Sequence, residues 1–246
     1  MSTAGAKHDD FESSVCRNCD LLVFCRPSDP LFDLPPPVRI ARHRRTVRAG
    51  DPVFRMGEPC HSLCAICEGS ARRSVISPDG GMQVTGFQFS GDLIGADALG
   101  EREFRHDVVA MEPVTVCEIG LHSLEDACKR SPGAQRGMLR LLGSVLALNQ
   151  ELMVPFLGKT SAAARIAAFL TGVADRLERR GLKPEAVALH MPRADLANYL
   201  GIAKETVSRV FTRFGEAGVL RLEQRRYWLT NRALLAEQAR CPDSAH

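Results

Sequence analysis

The sequence lacks any run approaching the roughly 18 consecutive apolar residues that a membrane-spanning helix needs. Its first residues lack the apolar stretch of a signal peptide. It contains no P-loop, Ser-His-Asp pattern or paired-carboxylate motif, and its seven histidines include no H-x3-H spacing. We therefore expect a soluble, cytoplasmic protein that has no membrane partner and is not an enzyme.

Charge is unevenly distributed along the 246 residues, although the net charge is only +3. Residues 160–246 carry 14 Lys and Arg against 9 Asp and Glu, whereas residues 1–159 carry 18 against 20. A basic C-terminal third favours a polyanionic partner such as DNA, and the length suffices for one or two cores.

Glycine and short apolar runs alternate from Arg39 to about Leu121, after an arm that ends in three prolines at positions 35–37. Many short strands with glycine turns are typical of a small antiparallel barrel or roll. Ser131 and Pro132 then predict a helix start, with an N-cap and a proline in the first turn.

The helix expected from Ser131 to about Leu157 carries a repeat with alternating spacings of four and three. The repeat consists of Met138, Leu142, Val145, Asn149, Leu152 and Phe156. This spacing is typical of a coiled-coil seam, in which a lone Asn149 can pair with its twin across a two-fold axis. The alternative is a helix lying on its own domain. Pro155 would kink or end the helix.

Residues 193–211 form the most specific pattern of the sequence. Two short helical segments meet at Gly201, where the turn needs a positive φ angle. Five apolar residues are spaced to form a small core between the helices: Leu196, Leu200, Ile202, Val207 and Val210. The pattern predicts a helix-turn-helix. Residues 220–230, with Arg221, Arg225 and Arg226, would form a wing beside the DNA backbone.

The second helix of this motif presents Glu205, Ser208 and Arg209 on one face, because positions three or four apart share a face. Arg can pair with guanine, Glu can accept from the cytosine amine, and Ser can serve either edge. The alternative for Glu205 and Arg209 is a surface ion pair four residues apart.

Together these features resemble the Crp/Fnr family of transcription regulators over essentially the whole chain. The matching motifs are Gly86-Phe87, Gly91-Asp92-Leu93-Ile94-Gly95, Val116-Cys117-Glu118-Ile119 and Glu205-Thr206-Val207-Ser208-Arg209. The resemblance implies an α+β fold with an N-terminal antiparallel β-roll (a cyclic-nucleotide-binding-like jelly roll), a long dimerisation helix and a C-terminal winged helix-turn-helix. The expected domains are a cysteine-rich arm (1–37), the sensor roll (38–130), the dimerisation helix (131–158) and the DNA-binding domain (159–246).

The resemblance also implies partners. A homodimer would bind double-stranded DNA at a palindrome of half-sites like TTGAT–ATCAA, about one helical turn apart. Glu205, Ser208 and Arg209 would contact bases, flanked by Lys204 and Thr206. The exposed turn at residues 77–81 could contact RNA polymerase. Cyclic-nucleotide binders of the family carry an Arg-Ser pair where this chain has His106 and Asp107, and Asp107 would repel a phosphate. No cyclic nucleotide is therefore expected.

Nine cysteines are many for a reducing compartment, which favours metal binding or redox chemistry over disulfides. Cys16, Cys19 and Cys25 form C-x2-C-x5-C, and Cys117 lies far along the chain. Four thiolates can hold an iron–sulfur cluster or a tetrahedral zinc, and spacing alone does not choose. The oxygen-sensing Fnr branch carries this arm spacing and a Val-Cys-Glu-Ile cysteine, so the resemblance implies a [4Fe-4S] cluster on these four residues. By the same resemblance, the cluster would control dimerisation and DNA binding in response to oxygen or redox state.

Two alternatives stay open beside the cluster. The same fold could use structural zinc or thiol oxidation instead of iron. More remotely, Cys60, Cys64 and Cys67 form C-x3-C-x2-C, the spacing of radical S-adenosylmethionine enzymes. Because Cys64 and Cys67 fall within an expected strand, where residues three apart point to opposite faces, this triad fits one cluster badly. Cys128 and Cys241 receive no role.

Overall fold

The computed structural model describes residues 19–25, 42–153, 157, 161–224 and 226–240. The expected α+β fold is confirmed. Two four-stranded antiparallel sheets form a roll, a long helix follows it, and a helical unit with a two-stranded wing completes the chain.

The roll is built from eight strands after a short helix, α1 (Leu22–Cys25). The strands are β1 (Arg42–Val47), β2 (Pro52–Phe54), β3 (Ser62–Glu68), β4 (Ser70–Ile76), β5 (Met82–Phe89), β6 (Leu93–Ile94), β7 (Asp107–Ala110) and β8 (Val114–Gly120). One sheet has the order β1-β8-β3-β6 and the other β2-β7-β4-β5. Short 3₁₀ turns at Ala96–Ala98 and Pro184–Ala186 complete the loops described.

Helix α2 (Leu121–Arg130) leads into the long helix α3 (Pro132–Glu151). The expected N-cap is present, because Ser131 Oγ accepts a hydrogen bond from the Ala134 N–H at 3.3 Å. The helix ends at Glu151, about six residues earlier than expected. The sequence supplies a reason: Pro155 has no N–H to donate to the Glu151 carbonyl, as the next helical turn would require. Phe156 and Pro155 themselves lie outside the described residues.

The C-terminal part contains α4 (Ala162–Arg179), α5 (Arg193–Leu200), α6 (Lys204–Glu216), the wing strands β9 (Leu220–Glu223) and β10 (Arg226–Leu229), and α7 (Arg232–Arg240). Gly201 ends α5 with φ of 64°, the left-handed conformation that the turn was expected to need. Nowhere in the described ranges does a helix reach the length and apolar character needed to cross a bilayer.

The apolar cores do not follow the order of the elements along the chain. One core joins the interior of the roll to Leu21 and Phe24 of the arm and to the start of α3. The other core fills the helix-turn-helix unit and includes Val84, Phe87 and Phe89 of strand β5. A strand of the roll is therefore part of the core that supports the helix-turn-helix.

Candidate nucleic-acid interface and cysteine arm

Helices α5 and α6 cross over the small core that the sequence predicts. Its members Leu196, Leu200, Val207 and Val210 are buried, and Ile202 is half-buried. Behind α6, the guanidinium of Arg193 lies 3.6 Å from the centre of the Phe211 ring. This cation–π contact fixes the start of α5 on the inner face of α6. Sequence reasoning missed it, because Arg193 and Phe211 are 18 positions apart and share no local motif.

The outward face of α6 is open to solvent. Lys204, Glu205, Ser208 and Arg209 are exposed, and Thr206 is half-buried. Arg209 Nη2 donates to Thr206 Oγ1 at 3.3 Å. Within the described part of the chain, Glu205 and Arg209 do not form the alternative surface ion pair, which leaves both side chains available to base edges.

The wing adds positive charge beside α6. The guanidinium of Arg221 lies 4.3 Å from the Trp228 ring centre, and Arg226 Nε donates to His190 Nε2 at 2.7 Å. Both arginines are exposed. They are therefore held on the surface that continues from the recognition helix, where phosphate contacts position a protein on DNA. Arg225 lies outside the described residues.

The described part of the cysteine arm, residues 19–25, lies against the edge of the roll sheet. The Asp20 N–H donates to the Gly91 carbonyl at 3.2 Å, and the Leu93 N–H donates to Asp20 Oδ2 at 3.0 Å. Cys19, directly before Asp20, packs against the core of the roll. The arm is thus joined to the turn and short strand at residues 91–94.

Strand register brings Cys117 towards the same edge. Ala65 of β3 is opposite Cys117 of β8 and also opposite Leu93 of β6, so the three side chains share one face. Two strand spacings separate Cys117 from Leu93, about 10 Å. The other neighbour of Cys117 in this row, Arg44, is exposed, whereas Cys117 is buried. Cys117 is therefore buried on the outer face of the sheet. It belongs to a row of paired residues that ends at Leu93, which Asp20 of the arm contacts.

The four predicted cluster ligands are only partly described. Cys19 and Cys117 have the surroundings given above, Cys25 ends α1, and Cys16 lies outside the described residues. Among the described residues, no group of three or more His, Cys, Asp or Glu side chains is arranged to hold a metal ion. Thiolates are the donors that iron–sulfur clusters take, and the row from Cys117 leads to the strand that Asp20, next to Cys19, contacts.

The second cysteine triad has different surroundings. Burial, followed by the neighbouring Glu118, raises the pKa of Cys64 to about 12, and Cys64 Sγ lies 3.7 Å from Glu118 Oε1. Burial also raises the pKa of Cys60. Cys60, Cys64 and Cys67 all lie among the described residues, and they do not form a group arranged to hold a metal ion, so the enzyme alternative loses its support.

A cavity of about 180 Å³ lies between the roll and α3, lined among others by Arg73, Asp97, His106 and Asn149. His106 Nδ1 is 2.6 Å from Asp97 Oδ2. Burial would raise the pKa of Asp97, but the hydrogen bond and charge of His106 lower it below its ordinary value. Asp107 instead accepts from the Met56 N–H at 2.8 Å. The acid at this cavity is therefore Asp97, which the sequence analysis did not single out.

Comparison with known proteins agrees with this arrangement. A family model for the cyclic nucleotide-binding domain matches residues 44–131, and one for the Crp-like helix-turn-helix domain matches residues 164–238. The fumarate nitrate reduction regulatory proteins of Klebsiella oxytoca and of Escherichia coli (strain K12) are each 32% identical over 225 residues, which is 91% of this chain and 90% of each relative.

Solved structures agree as well. The structure of FixK2 from Bradyrhizobium japonicum has a TM-score of 0.70 and 25% identity, covering 82% of this chain and all of that one. A Crp-family transcriptional regulator from Thermus thermophilus shares the fold, with a TM-score of 0.62, 21% identity, and 79% and 96% of the two chains covered.

The roll, the exposed recognition helix and these matches define a DNA-binding transcription regulator and not an enzyme. The chain belongs to the Crp/Fnr family, and the resemblance seen in the sequence is confirmed.

Proposed function

We propose that the protein regulates transcription in response to oxygen or redox state, through a [4Fe-4S] cluster bound by Cys16, Cys19, Cys25 and Cys117. The observation that carries the proposal is the row from Cys117 through Ala65 to Leu93, whose N–H is bound by Asp20 of the arm. It supports a centre shared between the arm and the roll.

A cluster at this position supplies an oxygen-labile tie between two distant parts of the chain. About ninety residues separate Cys25 from Cys117, and closing so long a loop is entropically costly without a metal. The residues themselves hold the arm more weakly, through the hydrogen bonds of Asp20 and the burial of Leu21 and Phe24. Among the described contacts, loss of the cluster would leave these and the ion pair of Asp20 with Arg180.

The proposal includes a homodimer through α3. Apolar side chains exposed on this helix and just after it are Leu139, Leu142, Leu146 and Met153, and Asn149 is exposed among them. Their spacing alternates between three and four, as in a coiled-coil seam. The exposed stripe shares Leu142 and Asn149 with the seam predicted from the sequence. At the other three positions it has Leu139, Leu146 and Met153 where the predicted seam has Met138, Val145 and Leu152. Met138 packs instead against the core of the roll.

In the DNA complex, Glu205, Ser208 and Arg209 would contact base edges of a TTGAT–ATCAA-like palindrome, with Lys204 and Thr206 beside them. Their position at the exposed start of α6 supports this assignment. We also propose that the chain is divided into the arm, the sensor roll, the dimerisation helix and the DNA-binding domain, as the sequence predicts. It also keeps the turn at residues 77–81 as the contact for RNA polymerase, because this turn is exposed.

The test is anaerobic purification, iron and sulfide assay, and DNA binding to the palindrome before and after exposure to air. We expect four iron and four sulfide per chain, broad absorbance near 400 nm, and DNA affinity that falls with the absorbance in air. A colourless protein with stoichiometric zinc would replace the cluster by a structural metal. Tight DNA binding that air leaves unchanged would refute oxygen control.

A further inference from the structure

Four charged side chains form a buried network where the arm, the roll and the DNA-binding domain meet. Arg180, which follows α4, lies 2.7 Å from Asp20 Oδ2 and 3.5 Å from Asp92 Oδ1. Arg176, one turn earlier, pairs with the other oxygen of Asp92 and donates to the Phe87 carbonyl at 3.1 and 3.2 Å. Asp92 also accepts from the Phe89 N–H at 2.8 Å.

Because these four side chains are buried, the balance of charge among them affects the stability of the protein. The exposed fraction of the side chain is 4–5% for Asp92 and Arg176 and 13–16% for Asp20 and Arg180. Two carboxylates balance two guanidinium groups. Removing one partner of a buried pair leaves an uncompensated charge, which is strongly destabilising. If Asp20 moved away with the arm, Asp92 would be the one carboxylate of this network left facing the two arginines.

The backbone at Gly91 leaves room for the side chain of Arg180. Gly91 has φ of 93°, and a Cβ added there would lie 2.8 Å from Arg180 Cδ. The arginine stem therefore crosses the roll turn at a point where only glycine leaves room. The carbonyl of the same Gly91 accepts the Asp20 N–H. Arg180 and the arm thus both contact Gly91.

The DNA-binding side of the network is continuous with the recognition helix. Leu170, Val173 and Leu177 of α4 are buried in the same core as Val207 and Phe211 of α6. A change in the packing of the end of α4 on the roll therefore changes the support of α6.

We propose that the Asp20–Arg180 ion pair transmits the position of the cysteine arm to the DNA-binding domain. Asp20 is a positioning residue: it contacts no base and acts through Arg180. The inference rests on the proposed function in one respect, since only an oxygen-labile centre at Cys19 would make the position of the arm depend on oxygen.

The test is a double-mutant cycle with Asp20→Asn, Arg180→Gln and the double variant, measured by DNA affinity in anaerobic protein. We expect each single variant to bind about ten-fold more weakly and the double variant to bind no more weakly than either one, because both break the same contact. Iron and sulfide content should not change. Asp51→Asn, at an exposed turn of the roll, serves as the control.

Air exposure separates this proposal from the cluster. In air, wild-type protein should fall to the affinity of Asp20→Asn, and that variant should weaken little further. Independent, additive losses of DNA affinity in the double-mutant cycle would contradict the proposal. A coupling energy between Asp20 and Arg180 that stays unchanged after the cluster is lost would also contradict it. Loss of iron in Asp20→Asn would assign Asp20 to the cluster instead. If the wild-type protein holds no cluster, the proposed oxygen response is wrong. The double-mutant cycle in the purified protein still tests whether Asp20 and Arg180 are coupled.

Discussion

The side-chain oxygen of Asn198 accepts a hydrogen bond from the Val84 N–H at 2.6 Å, which fastens the first helix of the helix-turn-helix to strand β5 of the roll. The amide nitrogen of Asn198 donates to the Met82 carbonyl at 2.9 Å. One turn earlier, Asp195 pairs with Arg72 of strand β4 at 2.9 Å. The orientation of the DNA-reading unit is therefore set by polar contacts with the roll as well as by the link through α3.

Replacement of Asn198 by alanine should lower stability by about 1–3 kcal/mol, because it removes two hydrogen bonds and leaves the buried Val84 N–H without this partner. Thermal unfolding followed by calorimetry measures the loss. Gln150→Ala, an exposed amide on α3, is the matched control and should change little. A loss of stability no larger than that of the control would show that the hydrogen bonds of Asn198 do not hold the helix-turn-helix on the roll.

Replacement of Cys117 by serine should abolish cluster binding and the response to oxygen, because three thiolates of the arm would remain without the ligand from the roll. Iron content and absorbance near 400 nm after anaerobic purification are the measurements. Cys128→Ser, on α2 and half-buried, should keep both. Full iron content in the Cys117 variant would remove this residue from the ligand set.

A glutamate in place of Leu146 should dissociate the dimer, because it would place two like charges in an apolar seam. Leu146 is 62% exposed in the single chain, so the monomer itself should tolerate the change. Analytical ultracentrifugation distinguishes the two states. Ser144→Glu lies on the opposite side of α3 and should leave the dimer intact. Equal sedimentation of both variants would move the interface elsewhere.

Replacement of Arg209 by alanine or of Glu205 by glutamine should cost about 1–3 kcal/mol of DNA binding, and discrimination should relax at one base pair for each variant. Titration against palindromes substituted at each position measures both effects. Glu216→Gln, at the far end of the same helix, controls for the change in charge. A uniform loss across all sequences would assign these side chains to the phosphate backbone.

Acid should remove a contribution that Asp97 makes to stability. Its pKa in the folded protein is lowered below 3.8, where burial opposes the shift and His106 and Arg73 favour the carboxylate. A depressed folded pKa gives stability that is present above the unfolded pKa and lost as pH falls through the folded value. The melting temperature of wild-type protein should therefore exceed that of Asp97→Asn near neutral pH, and the difference should shrink between about pH 5 and pH 3. A difference that is constant over this range would contradict the assignment.

Local patterns in the sequence were sufficient for the elements that depend on nearby residues. Ser131 and Pro132 predicted the start of α3, and Gly201 predicted the left-handed turn of the helix-turn-helix, because caps and turns are decided within a few residues. The exposed face of α6 followed from helical spacing alone.

The seam shows where local patterns stop. Two stripes on α3 differ by one residue at three of their five positions, and both have the spacing of a coiled coil. Only the packing of Met138 on the roll shows which stripe remains exposed in the folded chain. A repeat fixes the faces of a helix, but the neighbours of the helix decide which face they cover.

The amino-acid sequence was enough to predict the class of regulator and the helix-turn-helix, whereas the set of four cysteines stays a prediction. Only the folded chain shows that Asn198 clamps β5, that Arg180 meets Asp20, and that Cys117 lies on the row leading to the arm. These contacts join residues 52 to 160 positions apart, and their side chains meet only because the roll and the helices bury apolar surface against each other. No short pattern encodes such a meeting, since it depends on how every intervening element packs.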